Sequence, residues 1–350
     1  MKILSTILIL VLLFPALLSA KPSSLASKID ALLSSKTHKP FNGIVLVSSG
    51  GRTLYSKVKG VSNFKTKPAL HPNSQFVIGS ISKQITAVLV LHELDKLHLQ
   101  LDVPIRRYLP ELPDAWADTV TVDHLLTHMH GIMRLGAPTA FTPGTQFDYG
   151  FADIGYRLLS QIVERTSGKS FEMLSAEVFE ICGMKHTFHP KERHDKSLVS
   201  GYTETEDGHL KFDRTSFINS PVAGGFISTA EDLVRWNTAL HSGELLRPKS
   251  YNLMITPKKG AIRQHPLSGP TDYGYGITVD TKDEILQLGQ TGFAPGFASM
   301  NFYFPATKTS VIILSNVVRN GDLPEKFYYH SEILKLVREE LIKGGAKAKK

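Results

Sequence analysis

The segment Phe76-Val-Ile-Gly-Ser80-Ile-Ser-Lys83-Gln84 places a serine and a lysine three residues apart, directly after an apolar stretch and a glycine. Residues three apart lie on the same face of a helix, so we expect the Lys83 amine to lie within reach of the Ser80 hydroxyl. The segment is predicted to open a long amphipathic helix at Ser80, because apolar residues continue at helical spacing, at Ile81, Ile85, Val88 and Leu89,.

This arrangement favours nucleophilic chemistry at Ser80. A lysine kept neutral by desolvation or by a nearby positive charge can take the proton of a serine hydroxyl. Backbone N–H groups at a helix N-terminus can in turn stabilise an oxyanion. The simpler alternative is that Ser80 only caps the helix.

The Ser-x-x-Lys pattern alone does not select Ser80, because the chain contains it twice more. Ser56-Lys-Val-Lys59 falls in alternating strand sequence, which places its serine and its second lysine on opposite faces,. Ser62-Asn-Phe-Lys65 falls in a polar loop. Only Ser80 follows an apolar stretch and a glycine and opens a helix.

A second segment, Pro143-Gly-Thr-Gln-Phe-Asp-Tyr149-Gly-Phe-Ala-Asp153-Ile-Gly-Tyr156, is typical of a turn that leads into a helix. A tyrosine at such a turn can relay a proton if a nearby ammonium group lowers its pKa. The alternative is that Tyr149 simply packs.

A third segment, Leu288-Gly-Gln290-Thr-Gly292-Phe-Ala-Pro-Gly296-Phe297, is rich in glycine. Gly292 after a short strand lets a substrate backbone lie close. The next N–H group, that of Phe293, can complete an oxyanion hole. A glycine-rich hairpin without a binding role is the alternative.

The periodicities around these segments predict an α+β protein with an antiparallel sheet. Strand patterns cover residues 43–48 and 52–58 and return at 273–279, 285–288, 297–304 and 311–314. Helical patterns lie at 25–33 and 324–342, and residues 80–239 are mainly helical,. We therefore expect a sheet lobe from residues 21–79 and 240–345, flanked by terminal helices, and a helical insert lobe at 80–239. The default site is the cleft between the two lobes.

The three segments, in this order, resemble the serine β-lactamase and penicillin-binding-protein superfamily. The resemblance is closest to its branch of class C β-lactamases, D,D-peptidases and esterases, and it extends over nearly all of the chain after residue 20. Three further segments are similar to that family, namely Leu101-Asp-Val-Pro-Ile-Arg-Arg-Tyr-Leu-Pro110, Val122-Asp-His-Leu-Leu-Thr-His-Met-His-Gly131 and Ala223-Gly-Gly-Phe-Ile-Ser-Thr-Ala-Glu-Asp-Leu233. The resemblance implies a β-lactamase/transpeptidase-like fold.

It also implies the roles of individual residues. Ser80 would be the acylated nucleophile, Lys83 its base partner, and Tyr149 the residue that carries protons to the leaving group and from the deacylating water. Backbone N–H groups of Ser80 and Phe293 would form the oxyanion hole. Thr291 and Gly292 would line the strand that binds the substrate.

Two positions depart from the family pattern. Gln290 stands where relatives carry lysine or histidine, and it cannot supply positive charge to a substrate carboxylate. The tyrosine segment reads as if two residues were inserted, with Tyr149 kept and Asp153 near the family's asparagine position. Asp153 also adds negative charge near the site. Both changes favour ester, amide or modified-peptide substrates over β-lactams and carboxypeptides.

The N-terminus resembles a secretory signal peptide. Lys2 precedes an apolar run from Ile3 to Leu18, and the small residues Ser19 and Ala20 follow,. We expect residues 1–20 to be a cleaved leader and the protein to be periplasmic or secreted, with an uncleaved membrane anchor as the alternative. The net charge of +8 favours loose association with acidic cell-wall polymer or lipid rather than nucleic acid. The basic tail at 346–350 is expected to be solvated.

The cysteine and the histidines of the sequence predict neither a metal site nor a cofactor. Cys182 is the only cysteine, which excludes an internal disulfide and is typical of an inert core residue. His124 and His128 are four residues apart, but no glutamate lies between them in a zinc-site pattern and no acidic third ligand is evident,. A hydrogen-bonded structural role for His128 is the favoured interpretation.

The leading hypothesis is therefore an exported serine hydrolase that forms an acyl-enzyme on Ser80. It would be an esterase, a peptidase acting on D-amino-acid peptides or a β-lactamase-like amide hydrolase, and its substrate would be a small ester or amide or a peptide derived from peptidoglycan. One alternative is a catalytically weak or inactive family member that binds cell-wall peptide fragments or a protein partner. Another is a metal-dependent hydrolase that uses the His124 cluster. The sequence does not indicate an oligomeric state.

Overall fold

The computed structural model describes residues 24–191, 197–213 and 221–345. The predicted leader at 1–20 and the basic tail at 346–350 lie outside these ranges. Among the helices described, none combines the length and the apolar character that a membrane span requires.

An eight-stranded antiparallel sheet forms the frame of the molecule. In chain order the strands are β1 (Gly43–Ser49), β2 (Arg52–Lys59), β3 (Phe76–Val77), β4 (Tyr202–Glu204), β5 (Leu210–Phe212), β6 (Ile227–Ser228), β7 (Ile262–His265), β8 (Gly269–Tyr273), β9 (Thr278–Asp280), β10 (Gln287–Ala294), β11 (Phe297–Phe304), β12 (Thr309–Ser315) and β13 (Val317–Val318). The large sheet has the order β2-β1-β12-β11-β10-β9-β8-β7, and two small sheets have the orders β13-β4-β5 and β3-β6.

The described helices lie on both faces of this sheet. They are α1 (Ser24–Ser34), α2 (Ser82–Asp95), α3 (Val122–Leu126), α4 (Ala152–Ser167), α5 (Phe171–Ile181), α6 (Ala230–Ser242), α7 (Pro248–Ile255), α8 (Leu323–Lys326) and α9 (Tyr328–Lys343).

Strand β12 packs against helices on both faces of the sheet. Its side chains alternate between the two faces, so Val311 and Ile313 pack with the terminal helices α1 and α9. Ile312 and Leu314 face the other way and join the core of the helical lobe. Because both faces are covered, the strand is apolar throughout its centre. The predicted α+β architecture with flanking terminal helices is confirmed.

Helix α2 is buried on every side, so the prediction of an amphipathic helix was wrong. All residues from Ser82 to Leu91 are buried. The cause is its central position, because α4, α5, α7 and the π-helical turn Pro221–Gly225 all pack against it. The polar residues of its first turn therefore lie in the interior, where each needs a partner.

The predicted strand at 273–279 is interrupted. Strand β8 ends at Tyr273, β9 begins at Thr278, and between them the chain leaves the sheet to pack against α2. A Cβ at Gly276 would lie 2.6 Å from the Lys83 carbonyl oxygen, so only a glycine fits this contact. The strand predicted at 285–288 is longer than expected, since β10 runs through the glycine-rich segment to Ala294. The predicted lobe boundaries stay predictions, and α7 adds a helix to the segment assigned to the sheet lobe.

Candidate active site

Ser80 and Lys83 meet at the start of α2. The 3₁₀ turn Gly79–Ile81 contains Ser80 and leads directly into the α-helix, which begins at Ser82. The Lys83 Nζ atom lies 3.0 Å from Ser80 Oγ and donates a second hydrogen bond of 2.7 Å to the Ala223 carbonyl. Ser80 is partly exposed, whereas Lys83 is buried. The nucleophile candidate is thus reachable from outside while its partner is shielded from water.

Burial lowers the pKa of Lys83. Negative charge on Tyr149 opposes this effect, and the positive charge of Arg263 adds to it, with a lowered pKa as the result. A buried amine in such surroundings spends more time neutral than a surface lysine does. In the neutral form it can accept the Ser80 proton.

Tyr149 lies at the same point of the molecule. It opens the 3₁₀ turn Tyr149–Phe151, which Asp148 caps by accepting a 2.7 Å hydrogen bond from the Gly150 N–H. Lys83 Nζ lies 5.1 Å from the centre of the Tyr149 ring. The structure therefore brings Ser80, Lys83 and Tyr149 together, as the sequence segments predict.

The Tyr149 hydroxyl is buried, and among the described residues no hydrogen-bond partner of good geometry reaches it. Burial by itself would raise the pKa of Tyr149. The charges of Arg263 and Lys83, together with the nearby polar groups of Ser80 and Lys83, outweigh burial and lower it. A phenol of this kind can serve as a proton acceptor close to Ser80.

A cluster of rings holds Tyr149 in place. His128 lies 4.8 Å from Tyr149 between ring centres and 5.1 Å from Tyr273, and Phe147 packs beside them. His128 Nε2 and the Tyr273 hydroxyl lie 3.1 Å apart at hydrogen-bond distance. The favoured structural role of His128 is thus confirmed, and Tyr273 is a neighbour of the site that the sequence patterns did not reveal.

Strand β10 passes directly beside the Ser80 turn. Gly79 has a φ of +56°, and a Cβ there would lie 2.4 Å from the Phe293 backbone nitrogen. A Cβ at Gly292 would lie 1.9 Å from the Ile78 carbonyl oxygen. The Ser299 hydroxyl donates a 2.7 Å hydrogen bond to that same carbonyl. The backbones of the two segments are thus in direct contact, because both glycines lack a side chain. This contact places the Phe293 N–H next to the Ser80 turn, where an oxyanion hole was predicted.

The expectation that the site lacks positive charge, which rested on Gln290, was wrong. Gln290 is completely buried and accepts a hydrogen bond from Arg263 Nη1. Arg263 lines the cleft beside Ser80, so a cation does stand next to β10. It comes from β7, distant in sequence, which is why the segment around Gln290 could not indicate it.

Thr291 also lines the cleft. Its hydroxyl lies 3.1 Å from His265 Nε2, which fixes the side chain. Burial keeps the pKa of His265 well below its ordinary value, and Arg263 and Lys282 act in the same direction. A neutral His265 therefore contacts Thr291 and helps to fix the position of β10.

Asp153 is placed outside the cleft that Ser80 lines. It lies in the first turn of α4, its side chain is 53% exposed, and its nearest charged partner is Arg157 at 3.9 Å. It lines a neighbouring cavity with Arg134 and Arg157. Asp153 is therefore not among the residues that line the Ser80 cleft, but its negative charge acts on Lys83 and opposes the lowering of that pKa. A substrate-binding role for Asp153 stays a prediction.

The remaining candidate groups have other partners. His124 completes a capping box with Thr121 at the start of α3. Within the described ranges, no group of three or more histidine, cysteine, aspartate or glutamate side chains is placed to hold a metal ion. Cys182 is buried and burial raises its pKa to about 12, as expected for an inert core thiol.

The cleft itself has a volume of about 520 Å³. It is lined by Ser80, Phe147, Asp148, Tyr149, Gly150, Ile262, Arg263, Gln264, Pro266, Thr291, Phe293, Leu323 and Phe327. A cavity of about 600 Å³ lies at the other end of α2, but none of the described residues that line it is a serine, threonine or cysteine. The cleft at Ser80 is therefore the candidate active site.

Known proteins with similar sequences and folds indicate the family of this chain. The sequence matches the family model described as Beta-lactamase over residues 31–335. The teichoic acid D-alanine hydrolase of Staphylococcus aureus is 25% identical over 330 residues, which cover 88% of this chain and 77% of the relative.

Two solved structures share the fold. The D-amino acid amidase of Ochrobactrum anthropi SV3 superposes with a TM-score of 0.76 at 21% identity, covering 91% of this chain and 100% of the amidase. A class C β-lactamase superposes with a TM-score of 0.73 at 20% identity, covering 90% and 96% of the two chains. These matches confirm the β-lactamase/transpeptidase-like fold and the superfamily that the sequence motifs indicated. The chain belongs to the β-lactamase family, a family of serine hydrolases.

Proposed function

We propose that this protein hydrolyses small esters or amides through an acyl-enzyme on Ser80. The observation that carries the proposal is the 3.0 Å contact between the Ser80 hydroxyl and the buried Lys83 amine. The Ser80 oxygen forms a bond to the substrate carbonyl carbon, and the bond from that carbon to the leaving oxygen or nitrogen breaks. The hydroxyl proton passes to the Lys83–Tyr149 pair, which returns it to the leaving group.

Deacylation uses the same groups in reverse. A water molecule gives its proton to the Lys83–Tyr149 pair and attacks the acyl carbon, and Ser80 regains its proton as the ester bond breaks. The backbone N–H groups of Ser80 and Phe293 would stabilise the negative charge that develops on the carbonyl oxygen in both steps.

The walls of the cleft favour a substrate with an apolar group. Three large apolar side chains around it are about half exposed, at 49% for Ile262, 48% for Phe293 and 50% for Leu323. Exposed apolar side chains clustered at one cleft are typical of a binding surface. We propose that they contact an aliphatic or aromatic group next to the scissile carbonyl.

D-amino acid derivatives are the first substrates to test. The Staphylococcus aureus relative is named as a teichoic acid D-alanine hydrolase, and the amidase that shares the fold is named for D-amino acids. By analogy we propose an ester or amide of a D-amino acid, or a cell-wall peptide that contains one. Export by the N-terminal leader at 1–20 would place the protein near such material, and both the leader and the location stay proposals.

The test is turnover of p-nitrophenyl acetate and of D- and L-alanine p-nitroanilide by the full chain. We expect hydrolysis that Ser80→Ala abolishes and that EDTA leaves unchanged. Activity that survives in Ser80→Ala would contradict the proposal, and activity lost in EDTA would point instead to a metal-dependent enzyme. If the wild-type chain turns over none of these substrates, the proposed substrate class is wrong and the noncatalytic alternative is favoured.

A further inference from the structure

Arg263 is a buried cation that forms no ion pair with any carboxylate of the described residues. It lies on β7, the edge strand of the sheet, where Arg263 and His265 point inward and Ile262 and Gln264 point outward. Only 8% of Arg263 is exposed. Among the described residues, no aspartate or glutamate forms an ion pair with it, although most buried charges in proteins have such a partner.

The group that faces Arg263 is the Tyr149 ring. The guanidinium carbon lies 4.2 Å from the ring centre, closer than the 5.1 Å that separates Lys83 Nζ from the same point. The Tyr149 hydroxyl is itself buried without a well-formed hydrogen bond to any described residue. A buried cation without a carboxylate partner among the described residues and a buried phenol thus lie side by side.

Gln290 holds the guanidinium in this position. Its Oε1 atom accepts a hydrogen bond from Arg263 Nη1, and its Nε2 atom donates one of 3.2 Å to the Tyr273 hydroxyl. An amide oxygen can orient a guanidinium without cancelling its charge, whereas a carboxylate at this position would neutralise it. A lysine at position 290 would repel the Arg263 guanidinium.

We propose that Arg263 is a positioning residue whose charge, oriented by Gln290, stabilises the phenolate form of Tyr149. The proposal rests on the proposed function only in giving that phenolate the role of proton acceptor. Its structural part concerns the ionisation of one side chain and can be measured without a substrate. The direction of the Tyr149 pKa, lowered by Arg263 and Lys83 against the effect of burial, agrees with it.

The experiment is a pH titration of tyrosinate absorbance in the near ultraviolet, taken as the difference between each protein and its matched Tyr149→Phe variant. In Arg263→Met we expect the Tyr149 ionisation midpoint to rise by about one to three pH units. Arg263→Lys keeps the positive charge, so its Tyr149 midpoint should stay close to that of the wild type. Gln290→Glu should raise the midpoint, because the new carboxylate neutralises Arg263.

A second arginine–glutamine pair provides the control. Arg338 donates a 2.9 Å hydrogen bond to Gln287, which lies at the start of the same strand β10. Arg338→Met should leave the Tyr149 midpoint unchanged. Neighbouring buried tyrosines will not interfere, since burial raises the pKa of Tyr156 and Tyr273 well above the ordinary value.

Kinetics supply the second readout. The acidic limb of the pH profile of kcat/KM for p-nitrophenyl acetate should move upward by the same amount in Arg263→Met and much less in Arg263→Lys. A Tyr149 midpoint that is the same in wild type, Arg263→Met and Gln290→Glu would overturn the proposal. If Arg263→Met does not fold, an unchanged Tyr149 midpoint in Gln290→Glu is by itself enough to overturn the proposal. A shifted midpoint in a chain without hydrolase activity would uphold the electrostatic role and refute the proposed function.

Discussion

At the scale of single residues, the Lys83 amine is the group proposed to accept the Ser80 proton. Replacing it by methionine keeps an unbranched side chain of similar length but removes the amine. We expect Lys83→Met to lower kcat/KM for p-nitrophenyl acetate by about 10²–10⁴-fold, the usual contribution of a general base. The variant should remain folded, because a buried amine contributes less to stability than an apolar side chain of the same size.

Lys258 is the matched control for this substitution. Burial lowers the pKa of Lys258 as well, and its Nζ lies 4.2 Å from the Tyr275 ring centre, but it does not line the cleft. Lys258→Met should leave kcat/KM within about twofold, well below the loss of a general base. Equal losses in the two variants would mean that Lys83 acts only through packing or net charge.

Sequence reasoning was strongest for residues that lie close together in the chain. Ser80 and Lys83 are three residues apart, so their contact follows from the spacing once the segment is predicted to be helical. Arg263 and Gln290 lie on strands that are not neighbours in the sheet, and no local pattern indicates that they meet. Asp153 is close enough for its charge to act on Lys83 but does not line the cleft, because the packing of α4 decides which way a helix position faces.

At the scale of elements, the close contact between the Ser80 turn and β10 decides whether a site forms. Gly79→Ala should cost about 1–2 kcal/mol for the left-handed backbone and a further 1–3 kcal/mol, roughly, for crowding against β10. Activity should fall as well, because the Phe293 N–H would be displaced. Urea unfolding and p-nitrophenyl acetate turnover measure the two effects.

Gly208→Ala separates strain from crowding. Gly208 has a φ of +82°, and no atom of the described residues lies within 4 Å of an added Cβ, so it should show only the backbone cost and keep full activity. A Gly79→Ala variant as stable and as active as Gly208→Ala would contradict the contact described here.

The exposed side chains at the edge of the cleft predict a preference for longer acyl groups. Leu323→Ser should reduce kcat/KM for p-nitrophenyl butyrate relative to acetate by about fourfold, which corresponds to the loss of about 0.8 kcal/mol for one of the two methylenes that butyrate adds. Leu97 is 88% exposed and lies away from the cleft, so Leu97→Ser should leave this ratio unchanged. An unchanged ratio in Leu323→Ser would exclude Leu323 from substrate binding.

The elements with regular periodicity were predicted well, and the errors share one cause. The strand expected at 297–304 matches β11 in full, since its residues are buried along the whole length. The helix from Ser82 and the strand at 273–279 were misjudged because each packs against a neighbour from a distant part of the chain. Tertiary contact overrides local pattern at such points.

For the whole molecule, buried histidines predict loss of stability in acid. Burial lowers the pKa of His130 and His330 to about 4 and that of His241 to about 3. In the unfolded chain a histidine has a pKa of about 6.5, so the unfolded chain takes up protons first as the pH falls. The stability present above pH 6.5 is therefore lost between about pH 6.5 and 4 for His130 and His330, and down to about pH 3 for His241,.

The loss amounts to about 2 kcal/mol per such histidine at pH 5. His330→Gln keeps a donor for the Ala298 carbonyl, which His330 Nε2 contacts at 3.2 Å, and cannot titrate. Urea unfolding at pH 7 and pH 5 should show that this variant loses about 2 kcal/mol less than wild type. The side chain of His209 is 86% exposed, and His209→Gln should lose as much as wild type. Equal losses in both variants would refute a buried neutral His330.

The most direct test of the central claim is the mass of the intact protein after reaction with a fluorophosphonate or with penicillin. We predict one adduct per chain, which peptide mapping locates at Ser80, and none in Ser80→Ala under the same conditions. A wild-type chain that none of these serine-reactive probes modifies, or an adduct on another residue that persists in Ser80→Ala, would contradict the account.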